Sequence, residues 1–277
     1  MAGFRFRNIG MVGFIARLAL ASAALVAPAP ASAALSYVES GNTNTAEGNQ
    51  ATSLADCPAS TYTVGGGVFS TGGFGAVAIS RSTPAGNASW TESTDVYEGT
   101  QGHRTFAICD STMPALAFES KTVKTGREKT VRAPCPPGHH VYGGGWIPGI
   151  SSFGETVTRT SRPFLGPDEG WQATVFSKFG DHEVTAYALC GFLDTNLRTK
   201  TVDVAKKSQG HAQKRCASGD QVTGGGGAIA VGNGKGWIST IYPVDTDGDT
   251  TPDDAWGAWL ENTSSKKREI TVYAVCR

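Results

Sequence analysis

Residues 135–145 read CPPGHHVYGGG, in which a cysteine is followed eight residues later by a run of three glycines. The same offset occurs from Cys57 to the triplet beginning at Gly65, and from Cys216 to the triplet beginning at Gly224. Three consecutive glycines weaken a strand unless the backbone there needs a close approach or a bulge. Recurrence at one fixed offset therefore indicates three copies of a single scaffold.

The three copies continue downstream of the glycines. Each has a proline, then a tryptophan, then a closing tetrapeptide of the pattern aromatic-Ala-apolar-Cys. The prolines and tryptophans are Pro84 and Trp90, Pro163 and Trp171, and Pro243 and Trp256. Because this order fills the chain after its first segment, we predict three homologous units, at residues 34–110, 111–191 and 192–277.

The six cysteines fall two to a unit. An even count fits three bridges, although six cysteines allow 15 pairings in principle. A swap between units would have to occur in the same way three times around a closed ring. We therefore predict one disulfide per unit, with the pairs Cys57–Cys109, Cys135–Cys190 and Cys216–Cys276.

The units read as β-structure. The segments 103–109, 184–190 and 270–276 are rich in β-branched and aromatic residues, and glycine clusters punctuate the chain as turns. No segment after residue 33 shows sustained helical periodicity. The expected fold class is all-β. Two architectures remain open: a β-prism-like, pseudo-threefold arrangement with a shared core, or three small β-sandwiches in tandem. The lack of linkers between units favours the first.

Residues 1–33 are predicted to be a signal peptide. This segment has three arginines, no acidic residue, an apolar run at 18–27 and a small-residue cleavage site at 31–33. The apolar run is shorter than the ~20 residues of a membrane-spanning helix, and no later segment is longer. We therefore expect a secreted, extracellular protein without a membrane span, in which disulfides are permitted.

The charge balance limits the class of partner. The whole chain has 24 basic and 24 acidic residues and is only 17% charged, below the roughly 25% of an average globular protein. Because the leader holds three of the basic residues, the predicted mature chain has 21 basic and 24 acidic residues, a net charge of −3. A nucleic-acid partner is not expected, since it requires a basic footprint.

The motif C-P-x-G-x-x-V-x-G-G-G, followed by S-x-P, W and Y-A-x-C, resembles that of secreted bacterial repeat proteins of unknown function, common in actinobacteria. Residues 135–145 match it well, whereas Ser60 and Ala217 depart from it in the other units. A cysteine with glycine at plus three and plus eight is also similar to the vitelline membrane outer layer protein I family. That resemblance implies a β-prism of three Greek-key sheets around a pseudo-threefold axis. The family's Asp-Asp-Thr-Ala-Leu-Asn signature is absent.

The segment between the proline and the tryptophan differs most between units, and in the third unit it includes DTDGDTTPDD at residues 245–254. Alternate carboxylates around a glycine turn can converge on Ca²⁺, which takes six to eight oxygen ligands. The string resembles the Asp-x-Asp-Gly-Asp-x-x-Pro-Asp loops of thrombospondin type 3 repeats. A calcium site is therefore predicted at Asp245, Asp247, Asp249 and Asp253, and the alternative is an acidic, solvated turn.

Catalytic motifs are missing from the sequence. There is neither a His-Glu-x-x-His metal helix nor a Gly-x-Ser-x-Gly nucleophile elbow. We therefore expect a non-catalytic protein whose variable loops bind a glycan or another surface polymer, with calcium assisting. Phe164 and Trp237 are the predicted sugar-stacking residues. The alternatives are a secreted enzyme acting on polysaccharide and a purely structural envelope or matrix protein.

Overall fold

The computed structural model describes residues 35–149 and 153–277. These residues form 19 β-strands connected by turns and contain no helix, so the all-β prediction is confirmed. Within the same residues, no helix is long and apolar enough to cross a membrane. The predicted signal peptide at 1–33 lies outside the described residues.

The three units contain equivalent strands in the same order, except that the first unit begins with two short strands where each of the others has one. The first unit contains β1 (Ser36–Glu39), β2 (Thr43–Ala46), β3 (Gln50–Asp56), β4 (Tyr62–Ser70), β5 (Val77–Pro84), β6 (Ser89–Val96) and β7 (Thr100–Asp110). The second contains β8 (Ala115–Val123), β9 (Glu128–Pro134), β10 (His140–Pro148), β11 (Thr156–Phe164), β12 (Gly170–Ser177) and β13 (His182–Gly191). The third contains β14 (Asn196–Val204), β15 (Ser208–Arg215), β16 (Val222–Ile229), β17 (Gly236–Val244), β18 (Ala255–Asn262) and β19 (Arg268–Cys276).

The strands form three antiparallel sheets, named A, B and C. Sheet A has the order β1-β7-β4-β17-β18-β15, and β2 continues the edge position of β1 along β7. Sheet B has the order β3-β6-β5-β10-β13-β8. Sheet C has the order β14-β19-β16-β11-β12-β9. Each sheet thus has six strand positions.

Every sheet combines strands of two units. The joins are β4 with β17 in sheet A, β5 with β10 in sheet B, and β11 with β16 in sheet C. Each join is short, with one or two registered residue pairs. Because β4 of the first unit pairs with β17 of the third, the three sheets close into a ring. This topology is the prism-like alternative, and three tandem sandwiches are ruled out for this chain.

The three predicted disulfides are present: Cys57–Cys109, Cys135–Cys190 and Cys216–Cys276. Each bridge links the end of one strand to the closing strand of the same unit, and these two strands belong to different sheets. Cys57, for example, follows β3 of sheet B, whereas Cys109 lies in β7 of sheet A. The disulfides therefore tie neighbouring sheets together.

The first glycines of the three triplets meet one another around the pseudo-threefold axis. A Cβ on Gly143 would lie 2.9 Å from the Cα of Gly65, and one on Gly224 would lie 2.9 Å from the Cα of Gly143. One on Gly65 would lie 3.2 Å from the Cα of Gly224, which completes the triangle. A β-bulge precedes each of these glycines. Both backbone requirements expected from the sequence are thus observed.

The other two positions of each triplet require glycine for different reasons. A Cβ on Gly144 would collide with the ring of Trp171, and the second glycines of the other units face the corresponding tryptophans. A Cβ on Gly145 would collide with the carbonyl oxygen of Ser82, across the join between two units. The first glycine of each triplet allows the close approach at the axis, the second makes room for the tryptophan ring, and the third allows strands of two units to pair.

Candidate binding surfaces

A groove of about 520 Å³ runs across the solvent face of sheet C. Strands β9, β12 and β19 present alternate residues to this groove, while their other residues, such as Val131, Ala173 and Val272, are fully buried. The alternation follows from the period of a strand, which sends successive side chains to opposite faces. Among the groove residues are Thr130, Arg132, Arg162, Gln172, Thr174 and Tyr273.

Side chains distant in sequence form a row across these strands. Arg132 is registered with Gln172, and Gln172 is registered with Arg162. On the far side of the join, Gly226 is registered with Tyr273. A Cβ on Gly226 would lie 3.2 Å from the Cα of Arg162, so these two residues are neighbours across the join. The row therefore passes from β9 through β12, β11 and β16 to β19.

Each arginine of the row is held against an aromatic ring. The guanidinium carbon of Arg162 lies 5.1 Å from the centroid of Tyr273, since Gly226 places no side chain between them. Arg132 lies 5.4 Å from the centroid of Phe164, and its Nε donates a hydrogen bond to Gln172 Oε1 at 3.1 Å. Guanidinium groups are attracted to ring faces in this range. Both cations are thus fixed in place at the groove.

A third arginine of the groove, Arg159, is already paired with a carboxylate. Its Nε forms a hydrogen-bonded ion pair with Glu128 Oε1. Burial, and secondarily the charge of nearby Arg162, lower the pKa of Arg159. In contrast, neither Arg132 nor Arg162 forms an ion pair with any carboxylate within 35–149 and 153–277. Among the residues that line the groove the one acid is Glu269, and it pairs with neither arginine, so two guanidinium groups of the groove have no ion-pair partner among the described residues.

A second row, composed largely of threonines, lies beside the first. Thr160 is registered with Thr174, and Thr174 with Thr130. The hydroxyls of Thr130 and Thr174 are 2.9 Å apart. Thr130 is exposed, whereas Thr160 and Thr174 are only 4% and 3% exposed, so this row lies along the floor of the groove. Its hydroxyl groups can both donate and accept hydrogen bonds.

The corresponding surface of sheet A is aromatic rather than cationic. Tyr242 occupies the position equivalent to Arg162, and its ring centroid lies 5.1 Å from that of Phe69 and 6.3 Å from that of Phe106. On the neighbouring row, Trp259 and His211 stack at 4.4 Å. The three units therefore share one backbone scaffold and differ in the side chains that their sheets present to solvent.

The acidic loop brings three of its four predicted ligands together. Carboxylate oxygens of Asp245, Asp247 and Asp249 lie within 4.8 Å of one another. The loop folds back on itself, because Asp245 Oδ1 accepts hydrogen bonds from the backbone N–H groups of Gly248 at 2.7 Å and Asp247 at 3.1 Å. These backbone hydrogen bonds, chiefly the one from Gly248, lower the pKa of Asp245 and keep it ionised.

The fourth predicted ligand, Asp253, is not part of this group. Its Oδ2 accepts a hydrogen bond from Gln221 Nε2 at 2.8 Å, and its backbone carbonyl accepts one from Val222. It lines the same hollow as Asp247 and Asp249, which has a volume of about 380 Å³. Asp253 therefore stabilises the base of the loop.

The two predicted stacking residues have different surroundings. Phe164 lies in the proline-to-tryptophan segment of the second unit, beside Arg132 at one end of the groove. Trp237 is only 9% exposed, and its indole N–H donates to the Val77 carbonyl at 2.9 Å. The Lys178 ammonium lies 5.7 Å from its ring centroid. Trp237 thus belongs to the interior and offers no open ring face to a sugar.

Neither the row from Arg132 to Tyr273 nor the pair Tyr242 and Trp259 on sheet A was identified from the sequence. Aligning the three units strand by strand would have shown that Arg162 and Tyr242 occupy equivalent positions, one residue before the proline. The register that joins the rows could not have been read in this way. No protein-family model matches the chain, and no curated protein matches it significantly.

Proposed function

We propose that the protein is an exported, non-catalytic binding protein for a polysaccharide or a similar hydroxylated surface polymer. The observation that carries this proposal is the groove across sheet C, which is lined by two ordered rows of hydrogen-bonding side chains. Thr130 and Arg132 are exposed at its side, whereas the nearly buried side chains of Thr160, Gln172 and Thr174 form its floor. A rigid sheet is a suited platform, since side chains held in place by packing lose little entropy on binding. The three disulfides, which persist in oxidising compartments, support an extracellular location.

The acidic loop is proposed as a calcium site that orders this part of the surface. Asp245, Asp247 and Asp249 supply carboxylate oxygens within reach of one ion. Calcium accepts six to eight oxygens in flexible geometry, so water and backbone carbonyls would complete the shell. An exposed site of this kind binds in the ~0.1–1 mM range of extracellular modules.

A polysaccharide and glycan array, probed with the purified protein in calcium and in chelator, tests the proposed function. We expect binding to at least one polymer. Thr130→Tyr, which places a ring in the groove from an exposed position, should abolish that binding. Ser120→Tyr places the same side chain on an exposed strand position outside the groove and should leave binding unchanged. If the protein binds no polymer in either condition, the proposal is excluded.

A further inference from the structure

We infer that the groove of sheet C selects an acidic polysaccharide whose sugars carry carboxylates, that is, a polyuronate. This inference rests on the proposed function and names the class of polymer. It starts from two guanidinium groups that form no ion pair within the described residues, those of Arg132 and Arg162, which face the same groove.

The spacing of the two arginines suits repeated anionic groups. They lie on β9 and β11, with β12 between them, and both are registered with Gln172. Two strand-to-strand steps separate their backbones by roughly 10 Å. A polymer with acidic sugars can place two carboxylates of one chain against such a pair.

The arginines are oriented before any ligand arrives. Each guanidinium lies over an aromatic ring, Tyr273 for Arg162 and Phe164 for Arg132. A planar guanidinium held in this way presents its N–H groups as a fork that matches a carboxylate, and little side-chain entropy is then lost on binding. Lysine in either position would supply a charge without this geometry.

The groups between and beside the arginines favour a sugar over a simple anionic chain. Gln172 lies between the two cations, and the hydroxyls of Thr130, Thr160 and Thr174 form the adjacent row. Amides and hydroxyls both donate and accept hydrogen bonds, as sugar hydroxyls do. A polyphosphate chain has no hydroxyl donors, so it could use this row only as a source of donors and not as acceptors. The combination of two fixed cations with a neutral hydrogen-bonding row therefore indicates a carboxylated polysaccharide.

The neighbouring sheets provide an internal comparison. At the position of Arg162, sheet A has Tyr242 and sheet B has Thr83, and at the position of Arg132 they have Gln213 and Leu54. Two cations therefore occur together in only one of the three equivalent rows that the structure describes. The charge is a property of sheet C and is not required by the scaffold.

The test is calorimetric titration of the protein with polygalacturonate, with dextran, dextran sulfate and polyphosphate as comparison polymers. Polygalacturonate should bind more tightly than dextran and polyphosphate, with an affinity that falls as salt is added. Arg132→Gln/Arg162→Gln should weaken binding by at least about tenfold, as expected for loss of two arginine contacts held in fixed geometry. Arg198→Gln removes one positive charge from an exposed position outside the groove and should leave the affinity unchanged.

Arg162→Lys keeps the charge but removes the planar guanidinium, so it should still weaken binding. This variant tests the role of the guanidinium geometry if the double variant does not fold. Equal binding by wild type and by the double variant would overturn the inference, and so would tighter binding of polyphosphate or dextran sulfate. A protein that binds neutral glycans but not polygalacturonate refutes this inference and leaves the proposed function intact. A protein that binds no glycan refutes both.

Discussion

The guanidinium of Arg277 forms a buried ion pair with the carboxylate of Asp110, which joins the closing strand region of the third unit to that of the first. The same guanidinium lies 5.3 Å from the ring centroid of Tyr142 in the second unit. One side chain thus contacts all three units near the pseudo-threefold axis. The ring of sheets is held at this point by charge as well as by backbone hydrogen bonds.

Removing one partner of this pair should destabilise the protein. Arg277→Gln leaves the Asp110 carboxylate buried without its counter-ion, a change that typically costs about 3–5 kcal/mol. Chemical denaturation measures the free energy of unfolding. As a control, Lys267→Gln breaks the exposed pair with Asp203 and should leave the free energy of unfolding nearly unchanged, because water screens such a pair. Equal effects of the two substitutions would show that the buried pair does not hold the units together.

The close approach of glycines at the axis predicts a strict requirement for glycine. Gly143→Ala would place a methyl group against the backbone of Gly65, where neither strand can move without disturbing its own sheet. We expect a loss of stability of about 1–3 kcal/mol, as for overpacked cores. Gly73→Ala is the matched control, because a Cβ at that position would have no neighbouring atom within 4 Å. Similar melting temperatures for both variants would contradict the axial contact.

The buried Glu92 carboxyl makes stability depend on pH. Its Oε1 accepts hydrogen bonds from Trp90 Nε1 at 2.6 Å and Ser82 Oγ at 2.5 Å, but burial outweighs these and raises its pKa from 4.5 to about 8. The unfolded chain therefore releases this proton near pH 4.5, and the folded chain retains it until about pH 8. The stabilising contribution is complete below the unfolded pKa and is lost as pH rises through the folded pKa.

Glu92→Gln removes this titration while keeping a side-chain oxygen for Trp90. Relative to the variant, wild type should lose on the order of 4 kcal/mol of unfolding free energy as the pH is raised from weakly acidic to above the folded pKa. Denaturant titrations across that range measure the difference. Glu98→Gln, at an exposed position, serves as the control and should track wild type. The interpretation fails if wild type and Glu92→Gln show parallel pH profiles.

Calcium should raise the melting temperature of the wild-type protein if the acidic loop binds it. Asp247→Asn/Asp249→Asn removes two of the three converging carboxylates and should abolish the rise. Asp220→Asn alters an acidic residue of the same hollow outside the converging group and should preserve it. If the melting temperature of wild type is the same with and without millimolar calcium (~1 mM or more), the site is ruled out.

Much of the scaffold could be predicted from sequence because it is repeated. The three disulfides, the all-β class and the backbone role of the triplet beginning at Gly143 all follow from comparing the chain with itself. The alternation of apolar and polar residues and the residue types of turns are properties of neighbouring residues, so they can be recognised without knowledge of the fold. The acidic loop was likewise identified because Asp245, Asp247 and Asp249 are close in sequence as well as in space.

The way in which the units combine became clear only in three dimensions. Three similar units can pair their strands within themselves or with a neighbour, and the alternation of each strand is the same in both cases. The exchange of strands between units is fixed by short joins such as Trp146 with Ser82, which become possible where Gly145 carries no side chain. Sequence spacing contains no information about a partner some sixty residues away.

The binding surface depends on the same long-range pairing. Arg132, Arg162 and Tyr273 belong to different strands, and a shift of one residue in register would send the side chains of a strand to the opposite face. The burial of Trp237 has the same origin, since packing between sheets determines which aromatic ring stays open. The order of residues along the chain was enough to specify a three-unit, disulfide-linked β-scaffold, because its signals are local and repeated. The register between distant strands selected which side chains meet at the surface, because that register is set by packing across the whole molecule.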